Sequence, residues 1–208
     1  IMSHVLLVNN ERDIDDMGWV PYLKRALEQA QPGVQITVIH HSQLNKENVQ
    51  KIAPTHTVLY GRVTHHWSMA EILSSYSSEL EYLRHVTSPT LGICAGHQLL
   101  GVANGSSMDK MIPCDDIDIV ESGFIRVFED NKCPLFEGLV SPFFCYCMHR
   151  DEVKTIPEGF ERIAFGDVCQ IHGMQKKGVP VFGLQFHPEW TNERFSAGQT
   201  ILRNFLNL

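Results

Sequence analysis

No apolar run in the chain approaches the ~20 residues that cross a bilayer. The N-terminal stretch carries Glu11, Asp13, Asp15 and Asp16, where a secretory leader needs unbroken apolar residues. Neither a membrane partner nor an exported protein is expected, and Ile1, ahead of Met2, reads as a residue added before the start. Positive charge is also short: 17 lysines and arginines stand against 24 aspartates and glutamates in 208 residues, a net charge of −7. That balance gives no general attraction for nucleic acid or an anionic surface. Six cysteines are too few for a disulfide scaffold, and no paired C-x-x-C pattern marks zinc. Neither G-x-x-x-x-G-K-S/T nor G-x-G-x-x-G occurs, so no nucleotide site is signalled. Internal repeats, low-complexity tracts and linkers are missing too, and charged residues, at 20%, are too few for a disordered chain. What the chain has is apolar: 43% hydrophobic residues and 15 glycines, enough for a sizeable core. One soluble, cytoplasmic domain of a reducing compartment, over residues 1–208, is the expectation.

The front half alternates two periodicities. His4–Asn9 is a short apolar run ending in polar residues, as a buried parallel strand reads. Trp19, Leu23, Leu27 and Ala30 form a helical stripe ended by Gln31-Pro32-Gly33. Val34, Ile36 and Val38 alternate as a second strand, and Val58–Tyr60 is a third. Ile72, Leu73, Tyr76, Leu80 and Leu83 give one further helical stripe. Thr90–Ile93 is a fourth strand, running directly into a helix that starts over Gln98–Val102. That order implies a parallel sheet with crossover helices on its faces. From Ile117 to Phe186 the apolar segments are short (IDIV, FIRVF, FFCYC, FERIAF, VFGLQF), with turns such as Pro157-Glu158-Gly159 and Lys176-Lys177-Gly178 between them. Hairpins and a small antiparallel extension are predicted there. Ile201, Leu202, Phe205 and Leu206 give a C-terminal helix.

The stretch Gly92-Ile93-Cys94-Ala95-Gly96 is G-x-C-x-G at a strand-to-helix junction, the thiol counterpart of the serine nucleophile elbow. A nucleophile on a sharp turn projects out of the sheet, and small flanking residues let strand and helix approach. The helix N-terminus favours a thiolate, and the Ala95 N–H is the obvious first oxyanion donor. Outside such a junction, Cys94 would read as a small buried hydrophobe. Late in the chain comes Gln185-Phe186-His187-Pro188-Glu189. An imidazole activates a thiol, and a carboxylate fixes the tautomer of the imidazole. Alone, His187-x-Glu189 reads equally as a surface turn, and spacing does not prove that the two pair.

Together the two stretches resemble the class I glutamine amidotransferase family, the Cys-His-Glu glutaminases, over nearly the whole chain. The look is most like the glutaminase part of GMP synthetases and the related γ-glutamyl peptidases. His149-Arg150-Asp151-Glu152-Val153, followed by Ile156-Pro157-Glu158-Gly159-Phe160, is similar to the segment those proteins carry before the final hairpin. The resemblance implies a flavodoxin-like α/β sandwich of three layers, with a mostly parallel central sheet and a small antiparallel extension. Its site would lie at the carboxyl ends of the strands. It also implies Cys94 as nucleophile, His187 as base, Glu189 as its orienting partner and Gln98 as a substrate-holding residue. The backbone around Met148 and His149 would meet the amino-acid end of the substrate. No metal or cofactor is implied.

The resemblance is incomplete where substrate would sit. After the third strand the family carries a Gly-Gly pair as its oxyanion loop, whereas this chain reads Tyr60-Gly61-Arg62-Val63. Gly61 supplies one N–H, and Arg62 replaces the second glycine with a long cation. Likewise Ser-His-Gly-Asp is here Met148-His149-Arg150-Asp151. Arg62 is expected either to pair with a substrate carboxylate or to lie in solvent or against a partner. Loop closure on docking of that partner is the favoured form. Three functions fit: a glutaminase feeding ammonia to a synthase on a separate chain, a stand-alone hydrolase of γ-glutamyl bonds, or a silent binding module. Among other residues, Cys145 and Cys147 share a strand face and read as packed hydrophobes rather than a metal pair. The adjacent pairs His40-His41 and His65-His66 read as solvated loop or strand-end histidines. Phe143, Phe144 and Tyr146 read as core and surface of one strand.

Overall fold

The computed structural model describes residues 2–63, 67–111 and 121–208. In chain order the elements are β1 (His4–Asn9), α1 (Val20–Ala30), β2 (Gln35–His40), α2 (Lys46–Ile52) and β3 (His56–Leu59). Then come α3 (Met69–Ser75), α4 (Ser77–His85), β4 (Thr90–Ile93), α5 (Ala95–Ala103) and β5 (Met108–Lys110). The back half holds β6 (Glu121–Glu129), β7 (Phe143–His149), β8 (Asp151–Val153), β9 (Phe160–Gly166), β10 (Gly173–Lys176), β11 (Val181–Leu184) and α6 (Ala197–Leu206). The expected IDIV segment and the His65-His66 pair lie outside the described residues.

One sheet of nine strands runs in the order β2-β1-β3-β4-β11-β10-β9-β6-β7. Its first five strands are parallel and its last four antiparallel. The VFGLQF segment joins the halves: β11 lies parallel to β4 on one side and antiparallel to β10 on the other. Strand alternation sorts the core into two faces. Val5 and Leu7 of β1 point to the layer built by α1 and α6, while Leu6 and Val8 point to the layer with α3, α4 and α5. Fully buried leucines and valines on both sides of β1 are what a parallel strand covered on two faces requires. The sandwich and its parallel core are therefore as the sequence implied. β5 and β8 pair as a separate two-stranded ribbon.

Two elements depart from the expected pattern. The stripe from Ile72 to Leu83 is two helices, because the chain breaks at Tyr76. The Tyr76 hydroxyl donates to the Asn10 carbonyl at 2.8 Å and its ring stacks on His41 at 4.0 Å, contacts that hold it across the axis. The helix after β4 begins at Ala95, a turn earlier than expected. The two predicted turns form as read, with Gly159 and Gly178 both at φ +79°. No helix among the described residues is long and apolar enough to cross a membrane.

Candidate active site

Three neighbouring parallel strands end at one place. β3 runs out into Tyr60-Gly61-Arg62, β4 into Cys94, and β11 into Gln185-Phe186-His187. Cys94 occupies the junction itself, at φ 51° and ψ −102°, a conformation that L residues rarely adopt. Its flanks explain how the turn is accommodated. A Cβ on Gly92 would stand 2.5 Å from the Gly96 carbonyl oxygen, and one on Gly96 would strike the Leu59 carbonyl. Strand and helix meet backbone to backbone only because both residues are glycine. The Cys94 N–H donates to the Leu184 carbonyl at 2.8 Å, pinning the elbow to β11. The side chain sits at the head of α5 and keeps 8% exposure, whereas Cys145 and Cys147 are sealed in the core. Burial pushes both of those thiols up.

His187 Nδ1 lies 2.6 Å from Glu189 Oε1, and both side chains are buried. The pairing that spacing left open is thus made. The same oxygen accepts the Tyr60 hydroxyl at 2.7 Å, so a tyrosine beside the elbow braces the carboxylate. Burial acts to lower the His187 pKa, but Glu189 and the Cys94 sulfur outweigh it and hold the imidazole up at about 10. With Nδ1 engaged, Nε2 is the nitrogen left for Cys94, and it completes no hydrogen bond of its own. The His187 N–H donates to the Tyr146 carbonyl at 2.8 Å, and the Trp19 ring approaches edge-on at 5.7 Å. Gly61 closes the remaining side. A Cβ there would stand 3.2 Å from His187 Cε1 and 3.3 Å from Cys94 Cβ.

Beside Cys94 lies a cavity of about 20 Å³, lined by Arg62, Trp67, Ala95, Gln98, Met148 and the 149–151 segment. That is room for one water. Gln98 reaches it, but its amide is engaged: Oε1 accepts the Trp67 indole N–H at 3.2 Å, and Nε2 donates to the Asp151 carbonyl at 3.0 Å. Gln98 Nε2 also bonds Gln185 Oε1 at 3.2 Å, and Gln185 Nε2 in turn donates to Cys94 Sγ at 3.6 Å. His149 lines the cavity with Nδ1 3.1 Å from the Asp151 carbonyl and Nε2 2.9 Å from Glu121.

Arg62 is not the solvated cation that was one of the expectations for it. It is only 5% exposed. Nη1 donates to Glu71 Oε1 and to the Tyr76 hydroxyl, each at 3.1 Å, and the guanidinium lies 4.7 Å over the Trp67 ring. Glu71 can hold it because Arg12, bonded to the same carboxylate, and then Arg62 keep that group ionised and its pKa low. Glu11 accepts the Val63 N–H at 2.6 Å and fastens the next residue. Arg62 and Val63 are therefore held in place at the cavity by side chains of the chain itself.

The comparisons with known proteins agree with this geometry. The family model for glutamine amidotransferase class-I matches residues 14–208. This chain belongs to the class I glutamine amidotransferase family. A stretch of 117 residues, 56% of the amidotransferase chain, is 38% identical to a glutamine-hydrolysing GMP synthase subunit of Methanocaldococcus jannaschii and covers 58% of that protein. The corresponding protein of Archaeoglobus fulgidus is 35% identical over 127 residues, 61% of this chain and 65% of its own. The chain thus spans less than two thirds of the length of these curated relatives. A Thermoplasma acidophilum protein described as a GMP synthase subunit superimposes with a TM-score of 0.80 at 26% identity, covering 100% of this chain and 94% of the other. A Thermotoga maritima glutamine amidotransferase, at 18% identity and a TM-score of 0.67, shares the fold.

Further residues of this amidotransferase differ from their sequence reading. His40 and His41 are buried rather than solvated: His40 Nε2 is 2.8 Å from the Glu11 carbonyl, and His41 lies on Tyr76. Desolvation, with the neighbouring charges of His40 and Arg62, lowers His41 to about 4. Phe143 is core and Phe144 surface, as alternation required. Tyr60, Trp67 and Gln185 were missed as site residues; Tyr60 and Gln185 adjoin motif residues in the sequence, whereas nothing local marks Trp67.

Proposed function

We propose that the chain hydrolyses the side-chain amide of glutamine through a thioester on Cys94 and passes the ammonia to a synthase on a separate chain. The observation that carries this reading is the strained Cys94 elbow facing a histidine whose other nitrogen is held by buried Glu189. The raised pKa keeps His187 protonated at neutral pH, which stabilises a thiolate opposite it. The thiolate attacks the carboxamide carbon, and the Gly61 and Ala95 N–H groups receive the oxyanion. As the C–N bond breaks, His187 gives its proton to the leaving ammonia. It then takes a proton from the water that opens the thioester and releases glutamate.

Trp67 and Gln98 share one wall of the cavity beside Cys94. A substrate donor that takes Gln98 Oε1 would replace the Trp67 indole N–H on it. Met148 and His149 then form the opposite wall. The names of the GMP synthase relatives support a synthase as the ammonia acceptor. One observation favours a γ-glutamyl hydrolase instead: Arg62 stands in the cavity wall, where a second substrate carboxylate would meet it. The test is ammonia release from glutamine by the purified chain, with γ-glutamyl dipeptides alongside and Cys94→Ala as the blank. Slow glutamine turnover, absent in Cys94→Ala, supports the proposal. Fast dipeptide cleavage that Arg62→Ala abolishes would replace it with the hydrolase.

A further inference from the structure

Away from Cys94, four buried side chains converge between β6, β7 and the segment leading into β10. Glu121 opens β6, Cys147 and His149 lie on the same inward face of β7, and His172 immediately precedes β10. Their donor atoms all lie within 4.8 Å of one another. Strand register brings the first three together, since Glu121 pairs directly with His149 and Cys147 is two residues back on that face. Gly166 supplies the room for the fourth, because a Cβ there would stand 2.5 Å from His172 Cδ2.

The two contacts to Glu121 are unlike. His149 Nε2 makes a true hydrogen bond to Oε2 at 2.9 Å. His172 Nε2 comes within 3.0 Å of the same oxygen, yet neither of its ring nitrogens completes a hydrogen bond, and the residue is 0% exposed. A nitrogen that close yet misaligned leaves its bonding capacity unused. An imidazole with no formed bond in a sealed site is costly unless something there receives its lone pair.

Independently of the glutaminase reading, we propose that Glu121, Cys147, His149 and His172 bind one divalent transition-metal ion of the zinc class. Thiolate, imidazole and carboxylate are the donor types zinc takes, and bonds of ~2.0–2.3 Å put tetrahedral donors roughly 3.3–3.8 Å apart. The present spacings, from 2.9 Å to at most 4.8 Å, straddle that range, so modest shifts assemble the site. Four protein donors leave no position for a reacting water, which makes the ion a structural pin. It ties the end of β7, with Met148 and His149 of the cavity wall, to β6 and to the start of β10. On binding, Cys147 gives its thiol proton and His149 its Nε2 proton to solvent, and the Glu121–His149 hydrogen bond is replaced by bonds to the metal.

Cys94, His187 and Glu189 offer similar donors, so the test must separate the two sites. Full-length protein is titrated with Co²⁺ as a spectroscopic probe and with Zn²⁺ in competition with a chromophoric chelator. One equivalent of cobalt is expected, with thiolate charge transfer and intense tetrahedral d–d absorption. The signal should persist in Cys94→Ala and vanish in Cys147→Ser, and zinc should raise Tm. His172→Gln, which keeps the thiol, should weaken zinc by more than the roughly 10–100-fold typical of losing an outer partner. This variant decides the matter if Cys147→Ser does not fold. No thiolate–cobalt band, a band that depends on Cys94 instead of Cys147, or unchanged zinc affinity in His172→Gln would overturn the proposal and leave Glu121 as a carboxylate shared by two histidines.

Discussion

Gly61→Ala should damage turnover while sparing the fold. The added Cβ would stand 3.2 Å from His187 Cε1 and 3.3 Å from Cys94 Cβ. Ordinary carbon contacts lie at about 3.5–4.0 Å, so these groups must part by roughly 0.2–0.8 Å. Gly61 is not among the positive-φ residues, and its backbone accepts alanine without strain. The displacement therefore falls on Cys94 and His187, the proposed reacting pair. The imidazole has little freedom to retreat, because Glu189 holds its Nδ1 at 2.6 Å and the Tyr146 carbonyl holds the His187 backbone N–H at 2.8 Å. A misplacement of ~1 Å can cost on the order of 10²-fold, so about half an ångström scales to roughly tenfold in kcat. Overpacking costs about 1–3 kcal/mol, and a single methyl at this partly open site belongs at the lower end. Steady-state ammonia release and a thermal melt measure the two effects separately. A variant whose kcat stays within about twofold of wild type would refute the placement of Gly61 against the catalytic pair.

His187→Ala should lose essentially all glutamine turnover, whereas Glu189→Gln should keep a measurable fraction, because the carboxylate orients and the imidazole moves the protons; equal losses in two folded variants would contradict that division. Tyr60→Phe removes a hydrogen bond to a charged group, worth about 1.5–3 kcal/mol, and urea unfolding should register a loss of that size. Glu79 is fully buried, accepts the Asn10 amide at 3.1 Å, and is pushed by burial up to about 8. Its folded pKa lies above the ordinary value of 4.5, so its contribution to stability is complete below that pH and lost as pH rises to about 8. Glu79→Gln should flatten that decline in denaturation curves taken across this window; an unchanged slope would mean that the carboxyl is not held neutral.

Legibility in the sequence followed how local the determining contacts were. β1, α1 and β4 were readable because their apolar spacing is the burial pattern itself. Cys94 was readable because an elbow needs small residues within two positions on either side. α2 escaped notice for the converse reason: none of its residues is buried, so it carries no apolar stripe, and Asn45 caps it alone. The break at Tyr76 was invisible because it is imposed by Asn10 and His41 from other parts of the chain. Arg62 was misread on the same account. A lone cation in a loop looks solvated until Glu71, Tyr76 and Trp67 are folded back around it.

The bond between the His187 N–H and the Tyr146 carbonyl reaches across the whole antiparallel half. Tyr146 lies on β7, the outermost strand, and His187 follows β11, where that half begins. The sheet therefore curls until its rim meets the chain leaving its first strand, forming a closed ring of five strands on the histidine. At Tyr146 the rim has no open edge to recruit another chain. Closure of the ring joins segments distant in sequence, and such contacts form slowly. The hold of Tyr146 on His187 therefore rests on the pairing of β10, β9, β6 and β7, strands that lie between residues 121 and 176.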